Sequence, residues 1–326
     1  MYSRSIDVDE RAAGRRVDVY LAARFSSFSR TTIAQHIRAG RVLMGGRRLK
    51  PASILALGET LEIFIPGIAP ERPPPPLPPV LYEDDRLIAF HKPAGMLAHP
   101  SGERFVWGLI GLARRARPNA HIDLVHRLDR ETSGVMVMTK DAEANVILKK
   151  SFMERTVEKE YHAIARGEID WSVREVQAPI GEAVESAVRL RRAVTPTGKH
   201  AHTTVRVLSR MSGYTLVSCK IHTGRTHQIR VHMEHIGHPL LGDKLYGQPD
   251  EVFLSWLQAE KTANNPLRQR LLFPRHALHA QLLRLPHPDD GQPFGIEAPL
   301  PADMRAIVDG KSPTWIEEAP IDDPAG

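Results

Sequence analysis

Apolar positions near the start of the chain follow helical spacing and then change to short strand-like runs. An apolar residue at every fourth position over residues 17–25 predicts a first helix. Residues 29–40 predict a second helix, because Ser29 can cap its N-terminus and Gly40 can end it. Two further runs predict strands, at residues 41–47, where a Gly-Gly pair suits a hairpin turn, and at residues 61–65. Together these elements predict a small N-terminal α/β module.

Strands outnumber helices after residue 80. Short apolar or alternating runs predict strands at residues 87–90, 135–138, 161–165, 203–207 and 214–221. One amphipathic helix between two of these strands is predicted by the spacing of Ala144, Ile147, Leu148 and Ser151. Few helices among many strands favour an α+β fold around a mixed, mostly antiparallel sheet.

Composition divides the chain into four parts. We expect the N-terminal module at residues 13–66 and a proline-rich linker at 67–79. The eight prolines of residues 66–79 favour an extended, semi-rigid spacer. The large α+β domain would then span residues 80–303. Residues 304–326 form an acidic tail, which we expect to be loosely ordered because it is charged and rich in proline.

The net charge of +6 is concentrated in the N-terminal module. Residues 19–58 contain seven Arg and Lys residues and no Asp or Glu, so this block carries +7 and the rest of the chain −1. Such a block is typical of a protein that binds a polyanion. The alternative is a basic but inert accessory domain. The candidate accessory RNA contacts are Arg30, Arg38, Arg41, Arg47, Arg48 and Lys50.

Other features of the composition limit the function classes. No run of 18 apolar residues predicts a transmembrane helix, and the first residues lack the apolar core of a signal peptide. Cys219 is the only cysteine, which excludes internal disulfides and thiolate metal clusters. Its alternating surroundings favour a small core residue over a nucleophile. We therefore expect a cytoplasmic protein, most simply a monomer.

The chemistry is concentrated in residues 125–134, with the sequence VHRLDRETSG. Asp129 lies here between Arg127 and Arg130, just before an apolar run typical of a buried strand. Nearby positive charge favours the ionised carboxylate, which could act as a nucleophile or base. A structural Arg–Asp pair at a strand end explains this segment equally well when it is taken alone.

Three further segments favour the catalytic interpretation: residues 90–96 (FHKPAGM), 159–163 (KEYHA) and 223–232 (TGRTHQIRVH). Together with residues 125–134, in this order, they resemble the RluA-type family of RNA pseudouridine synthases. The resemblance extends over about residues 80–300. It implies a mixed sheet crossed by an RNA-binding cleft, an Asp-dependent rearrangement of a flipped uridine, and no cofactor.

The resemblance also implies roles for single residues. Asp129 would be the catalytic aspartate and Tyr161 the tyrosine that stacks on the flipped base, although a tyrosine half in the core is the alternative. Arg230 would pair with Asp129, with Arg225 as its rival for this role and phosphate contact as the alternative for Arg230. Ile229 would pack on the other face of the base. The remaining candidate substrate contacts are Arg127, Arg225 and Lys92.

The N-terminal module carries a resemblance of its own. The sequences RVD at residues 16–18, SR at 29–30 and IRAGRV at 37–42, in a helix–helix–hairpin order, resemble the S-four RNA-binding domain of a small-subunit ribosomal protein. This resemblance implies an accessory RNA-binding surface.

We therefore predict a cofactor-independent pseudouridine synthase that modifies RNA, foremost large-subunit ribosomal RNA. One well-framed carboxylate suits a rearrangement better than hydrolysis, for which Glu131 is the only nearby second candidate. A non-catalytic RNA-binding or ribosome-assembly protein on the same fold is the first alternative. A metal-dependent nuclease using the histidines of residues 222–238 is the second. We predict no metal, because these histidines lack the i, i+4 pair with a central Glu of zincins.

Overall fold

The computed structural model describes residues 4–25, 28–65, 74–99, 108–259, 265–313 and 315, and these residues fall into two compact units. The smaller unit is formed mainly by the N-terminal residues up to 76, and the larger by residues 77–98 and 109–322. Much of the expected linker, residues 67–73, and most of the expected acidic tail lie outside the described residues.

The smaller unit packs two helices against a four-stranded antiparallel sheet. Its elements are β1 (Arg4–Asp7), α1 (Val17–Arg24), α2 (Arg30–Arg38), β2 (Val42–Met44), β3 (Arg47–Arg48) and β4 (Thr60–Ile63), and the strand order is β1-β4-β2-β3. Ser29 caps α2 as expected, because its side chain accepts the backbone N–H of Thr32 at 3.1 Å. Strand β1 precedes residue 13, so this unit begins earlier than the expected module boundary.

The larger unit is built on one sheet of ten strands. Its strands are β5 (Val80–Glu83), β6 (Leu87–Lys92), β7 (Asp123–Leu124), β8 (Ser133–Thr139), β9 (Glu158–Arg166), β10 (Val173–Gln177), β13 (His202–Met211), β14 (Tyr214–Ile221), β15 (Leu278–Pro286) and β16 (Pro293–Glu297). A separate hairpin is formed by β11 (Ile180–Glu182) and β12 (Arg192–Val194).

The order of the main path is β10-β13-β14-β9-β15-β8-β6-β5, with β16 paired to β15 and β7 to β8. Within the described strands, β8 and β15 form the one parallel pair. The sheet is therefore mixed and mostly antiparallel, as the sequence predicted.

The described residues of the larger unit also form six helices: α3 (Leu109–Ala116), α4 (Ala142–Glu154), α5 (Gln228–His235), α6 (Asp250–Gln258), α7 (Pro266–Leu271) and α8 (Ala302–Val308). Helix α4 is the amphipathic helix that the sequence predicted, and it turns Ala144, Leu148 and Ser151 inward. Helix α8 crosses residue 304, where we expected the tail to begin, and buries Met304 and Ile307. No helix among the described residues is long and apolar enough to cross a membrane.

Gly134 allows β8 and β15 to meet at the centre of the sheet. Its φ is 120°, and a Cβ atom built there would lie 2.2 Å from the carbonyl oxygen of Ala280. A side chain would therefore collide with the backbone of the parallel neighbour. This close approach sets β8 in place directly after the loop that carries Asp129.

Candidate active site

A cavity of about 700 Å³ opens beside the loop between β7 and β8. Asp129 lies in this loop, with its side chain 36% exposed. The opposite wall is formed by residues 224–230, at the start of α5, and Tyr161 of β9 also lines the cavity. Three segments distant in sequence, each containing a predicted site residue, thus meet at one cavity.

Arg230 is held between two carboxylates. Its Nε and Nη2 atoms donate to Asp243 at 2.7 and 2.8 Å, and its Nη1 atom lies 3.6 Å from Asp129 Oδ2. Asp243 also accepts the backbone N–H groups of Leu245 and Tyr246. The planar fork of an arginine suits this arrangement, because two nitrogens can bind one carboxylate while the third faces another group.

The electrostatics of this pair keep both groups charged. Burial raises the pKa of Asp243, but the charge and hydrogen bonds of Arg230 outweigh that effect and lower the pKa to about 2. Burial likewise opposes the charge of Arg230, whereas Asp243 and Asp129 raise its pKa above the ordinary value. A permanent positive charge therefore faces Asp129.

Tyr161 and Ile229 are among the apolar residues of the cavity wall. Both belong to the cluster of apolar residues beneath the sheet, where Ile229 is buried and Tyr161 half-buried. Burial raises the pKa of the Tyr161 phenol, and the charge of Asp129 raises it further. The phenol is therefore neutral at pH 7 and keeps its proton in the cavity.

The loop before α5 is held together by the Gln228 side chain. Its carbonyl oxygen accepts from the Thr223 hydroxyl at 2.7 Å and from the backbone N–H of Arg225 at 3.0 Å. Its amide nitrogen donates to the Thr203 hydroxyl and to the backbone carbonyl of His202, both at 2.9 Å. One buried side chain thus fixes the turn that presents residues 224–230 to the cavity.

The charges around the cavity are unequal. Six cationic side chains line it: Arg127, Lys149, Arg155, Lys159, Arg225 and Arg230. Asp129 is the only carboxylate among the described lining residues. Cations at this density suit a polyanionic ligand, and a single carboxylate suits a reaction that needs one.

The catalytic segments match a known family model. Residues 86–235, which contain Asp129, Tyr161 and Arg230, match the model described as RNA pseudouridylate synthase. A relative named ribosomal large subunit pseudouridine synthase D, from Xanthomonas campestris pv. campestris, is 36% identical over 308 residues, which cover 92% of this chain and 90% of the relative.

The chain belongs to the RNA pseudouridylate synthase family. It is an isomerase that acts on RNA, as the sequence predicted. Another relative, ribosomal large subunit pseudouridine synthase C of Escherichia coli (strain K12), is 35% identical over 93% of this chain and 94% of its own length. Among solved structures, human RNA pseudouridylate synthase domain containing 4 is similar, with a TM-score of 0.53, 27% identity, and coverage of 69% of this chain and 90% of that one. These similarities confirm the predicted fold.

Two arginines predicted to contact the RNA of such a synthase line the cavity. Arg127 is exposed, and no hydrogen-bond or ion-pair partner for it exists in the part of the chain that the structure describes. Arg225 donates through Nε to the backbone carbonyl of His200 at 2.9 Å. Within the described residues it forms no hydrogen bond or ion pair with Asp129. The structure therefore brings Arg230, rather than Arg225, beside the aspartate.

Lys92 does not line the cavity, and this position corrects our prediction that it contacts the substrate. It is fully buried and absent from the cavity wall. Its Nζ atom donates to the carbonyl oxygens of Pro93, Met96 and Arg130 at 3.0, 2.8 and 3.1 Å. Burial lowers its pKa to about 7. Lys92 therefore joins its own loop to the loop that carries Asp129, because buried carbonyl groups need donors.

Glu131 is also excluded as a second catalytic carboxylate. Its carboxylate accepts from Lys244 Nζ at 2.6 Å and from the backbone N–H of His276 at 3.2 Å, and it does not line the cavity. Burial raises the pKa of Glu131, but Lys244 and His276 hold it well below the usual range. This residue therefore stabilises the turn after Asp129 without facing the substrate.

Among the histidines of residues 222–238, only His222 belongs to a group of possible metal ligands within the described residues. His232 is buried, and its two ring nitrogens form hydrogen bonds with the Thr203 hydroxyl and the backbone carbonyl of Ala178. Within the described residues, one group of possible ligands has its atoms within 4.8 Å of one another: Glu175, His202 and His222. These side chains are already hydrogen-bonded to one another or to Thr204 and lie outside the cavity wall.

The predicted accessory residues are all exposed on the smaller unit. Arg30 pairs with Asp18 at 3.0 Å and Arg47 with Glu59 at 2.6 Å, so acids just outside the basic block offset part of its charge. Arg41 contacts the ring of His36 at 3.1 Å. No acidic partner exists within the described residues for Arg38, Arg48 and Lys50.

Sequence reasoning missed Asp243, Tyr246 and the cations of α4 and β9. Asp243 carried a usable signal, since a charged residue inside the apolar sequence LLGDKLYG of residues 240–247 is unusual unless it is paired. Lys149, Arg155 and Lys159 carried none, because solvated surface lysines and arginines have the same pattern. Only the fold places them at the cavity.

Proposed function

We propose that this isomerase converts specific uridines of large-subunit ribosomal RNA to pseudouridine. The observation that best supports this proposal is the lone carboxylate, Asp129, in a cavity lined by six cationic side chains. The cations suit the phosphates around a target nucleotide. A hydrolase would need a second carboxylate to manage water or a leaving group. The names of the relatives from Xanthomonas and Escherichia support the ribosomal substrate, which would place the enzyme in the cytoplasm.

The reaction needs no net addition or loss of atoms. The bond between the ribose C1′ and uracil N1 breaks, the base turns, and a bond forms between C1′ and C5. The proton on C5 leaves, and N1 gains one. Asp129 would start this sequence by attacking C1′ or by removing a ribose proton. Arg230 would hold the carboxylate charged and in place.

The cavity has the parts that a flipped base needs. The Tyr161 ring would stack on the uracil, and Ile229 would pack against its other face. Arg127, exposed and unpaired within the described residues, would occupy the gap left in the RNA or bind a phosphate. Such contacts offset the cost of extracting a base, about a few kcal/mol.

Three further cations extend this surface along α4 and β9. Lys149 and Arg155 lie at the helix and its C-terminal cap, and Lys159 lies at the start of the next strand. Phe152, stacked on His126, and Met153, 82% exposed, lie between them. Cations interleaved with apolar faces suit the phosphates and bases that flank the target. The smaller unit would add affinity through its basic residues.

The test maps pseudouridines in large-subunit ribosomal, small-subunit ribosomal and transfer RNA from cells with and without the protein. Wild type should restore the missing sites, and Asp129→Asn should not. Asp170→Asn, which changes an exposed aspartate of the same unit outside the cavity, is the matched control. Loss of sites in transfer RNA alone would refute the ribosomal substrate.

Purified protein separates the two alternative functions. RNA labelled with tritium at C5 of uridine should release tritium with wild type and not with Asp129→Asn, and a chelator should change neither result. RNA binding without any release would favour the non-catalytic alternative. RNA cleavage that a chelator abolishes would favour the nuclease.

A further inference from the structure

His227 begins α5 with a backbone conformation that few residues adopt. Its φ is 58° and its ψ 20°, in the left-handed region. A residue other than Gly stays in this region when the surrounding structure holds it there, and such positions are frequent at functional sites. The imidazole of His227 lies in the cavity wall together with Asp129.

Tyr246 contacts one ring nitrogen of His227. Its Oη atom lies 2.9 Å from His227 Nδ1 and accepts the backbone N–H of Arg192 at 3.0 Å. Because Arg192 is the donor in that contact, the hydroxyl proton is available for His227 Nδ1. A neutral imidazole that accepts at Nδ1 carries its hydrogen on Nε2.

The ring is neutral at pH 7. Burial, together with the positive charge of Arg230, lowers the pKa of His227 to about 4, although the charge of Asp129 acts in the opposite direction. His227 therefore presents an N–H group to Asp129 without adding a second positive charge beside Arg230.

Nitrogen atoms of His227 and Arg230 approach the same oxygen of the Asp129 carboxylate. His227 Nε2 lies 3.8 Å from Oδ2, and Arg230 Nη1 lies 3.6 Å from the same atom. Both distances exceed a hydrogen bond, as catalytic contacts often do before substrate binds. Within the described residues Oδ1 accepts no hydrogen bond, so two donors that approach Oδ2 leave Oδ1 for the nucleotide.

We propose that His227 is a positioning residue of the reaction: held by Tyr246, its Nε2–H directs Oδ2 of Asp129 so that Oδ1 is the oxygen that reacts. This inference rests on the proposed function. The same loop supports both donors, because Asp243 binds Arg230 and the ring of Tyr246 lies 4.8 Å from the Arg230 guanidinium.

Two replacements of His227 form a matched pair. Gln and Leu suffer the same strain at a positive φ, but only Gln keeps an acceptor for Tyr246 and a donor for Asp129 on an uncharged side chain. His227→Leu should lower the single-turnover rate about 100-fold, because misplacement of a reacting group costs that much. His227→Gln should recover most of this rate, and RNA affinity and Tm should be the same for the two variants.

Tyr246→Phe tests the same inference without changing the histidine. It removes the hydroxyl that fixes the Nε2–H form but keeps the ring beside Arg230, and the rate should fall by about tenfold, as for one lost hydrogen bond. Tyr82→Phe is its control, since it removes a tyrosine hydroxyl that bonds Asp84 outside the cavity wall. The control should keep the wild-type rate.

These experiments distinguish failure of the positioning role of His227 from failure of the proposed function. A wild-type rate in His227→Leu, or equal rates in His227→Gln and His227→Leu, would overturn the positioning role while wild type still makes pseudouridine. A wild-type rate in Tyr246→Phe would overturn the role of the tyrosine. If wild-type protein makes no pseudouridine in any RNA, or Asp129→Asn remains active, the proposed function itself fails.

Discussion

Arg230 and Asp243 form a buried ion pair joined by two hydrogen bonds. Asp243, rather than Asp129, accepts these two short hydrogen bonds from the arginine. Asp129 receives the third nitrogen, at 3.6 Å. The charge that faces the proposed catalytic carboxylate is thus anchored from behind by a second carboxylate that does not line the cavity.

Breaking this pair on one side should cost stability, and neutralising both sides should restore it. Arg230→Met or Asp243→Asn alone should lower the free energy of unfolding by about 3–5 kcal/mol, because each leaves a buried charge without its partner. The double variant should recover most of that loss, since Asn keeps an acceptor for Leu245 and Tyr246. It should remain inactive, because Asp129 has lost its cation. Urea unfolding and tritium release measure the two effects, and an active double variant would contradict the role of Arg230.

The same carboxylate should make stability depend on pH in acid. The pKa of Asp243 is about 2 in the folded protein, below the ordinary value of 3.8 for an aspartate. A depressed pKa stabilises the fold above pH 3.8, and this stabilisation is lost as the pH falls towards 2. The difference corresponds to about 2 kcal/mol. Free energies of unfolding at pH 6 and pH 2 should therefore differ less in Asp243→Asn than in wild type. Equal differences in the two proteins would show that Asp243 is not responsible.

Lys92→Met should impair folding without changing RNA contacts. It removes the donor of three carbonyl groups, of which the Met96 carbonyl lies in a buried contact, and a buried carbonyl costs about 1–3 kcal/mol when left unpaired. Unfolding should therefore occur at lower urea concentration. The slope of log affinity against log salt should not change, because Lys92 is fully buried. Arg127→Met is the comparison, since it should reduce the slope and spare stability. A reduced slope in Lys92→Met would restore our original prediction of a substrate contact.

The basic block of the smaller unit should contribute to binding according to which charges are free. Replacing Arg38, Arg48 and Lys50 by Gln removes three charges without acidic partners among the described residues. The salt slope should fall by about two to three, at up to 0.9 per phosphate contact. Arg30→Gln with Arg47→Gln should have a smaller effect per charge, because Asp18 and Glu59 already pair with these residues. An unchanged slope in the triple variant would mean that the block does not bind RNA.

Gly134→Ala should prevent β8 from approaching β15. The added Cβ would lie 2.2 Å from the Ala280 carbonyl oxygen, a contact that the backbone cannot accept. We expect a loss of more than about 4 kcal/mol or failure to fold. Gly213→Ala is the control, because Gly213 also has a positive φ, of 77°, but open space around it. Its loss should be about 1–2 kcal/mol, from the backbone conformation alone. Similar losses in the two variants would exclude the close approach as the cause.

Local patterns in the sequence predicted part of the elements and the residue that we propose reacts. Alternating apolar residues predicted β14 at residues 214–221 with its observed bounds, and Ser29 identified the start of α2. Such signals are local, because a strand face or a helix cap depends on residues a few positions apart. The arginines around Asp129 and the four family segments indicated the proposed catalytic carboxylate in the same way. Half of the described strands escaped prediction: β1, β5, β7, β10, β11, β12, β15 and β16.

What the tertiary structure decided were the partners of each charged side chain. Lys92, Glu131 and Arg230 all have charges that sequence reasoning assigned to the substrate or the reaction. The fold buries Lys92 among carbonyl groups and turns Glu131 towards Lys244. It places Arg230 within hydrogen-bond distance of Asp243 and farther from Asp129. Pairing depends on distances of a few ångströms between residues that lie from 4 to 113 positions apart in the chain. Residue type determines which chemistry is possible, whereas packing determines which groups meet and which oxygen of Asp129 remains open.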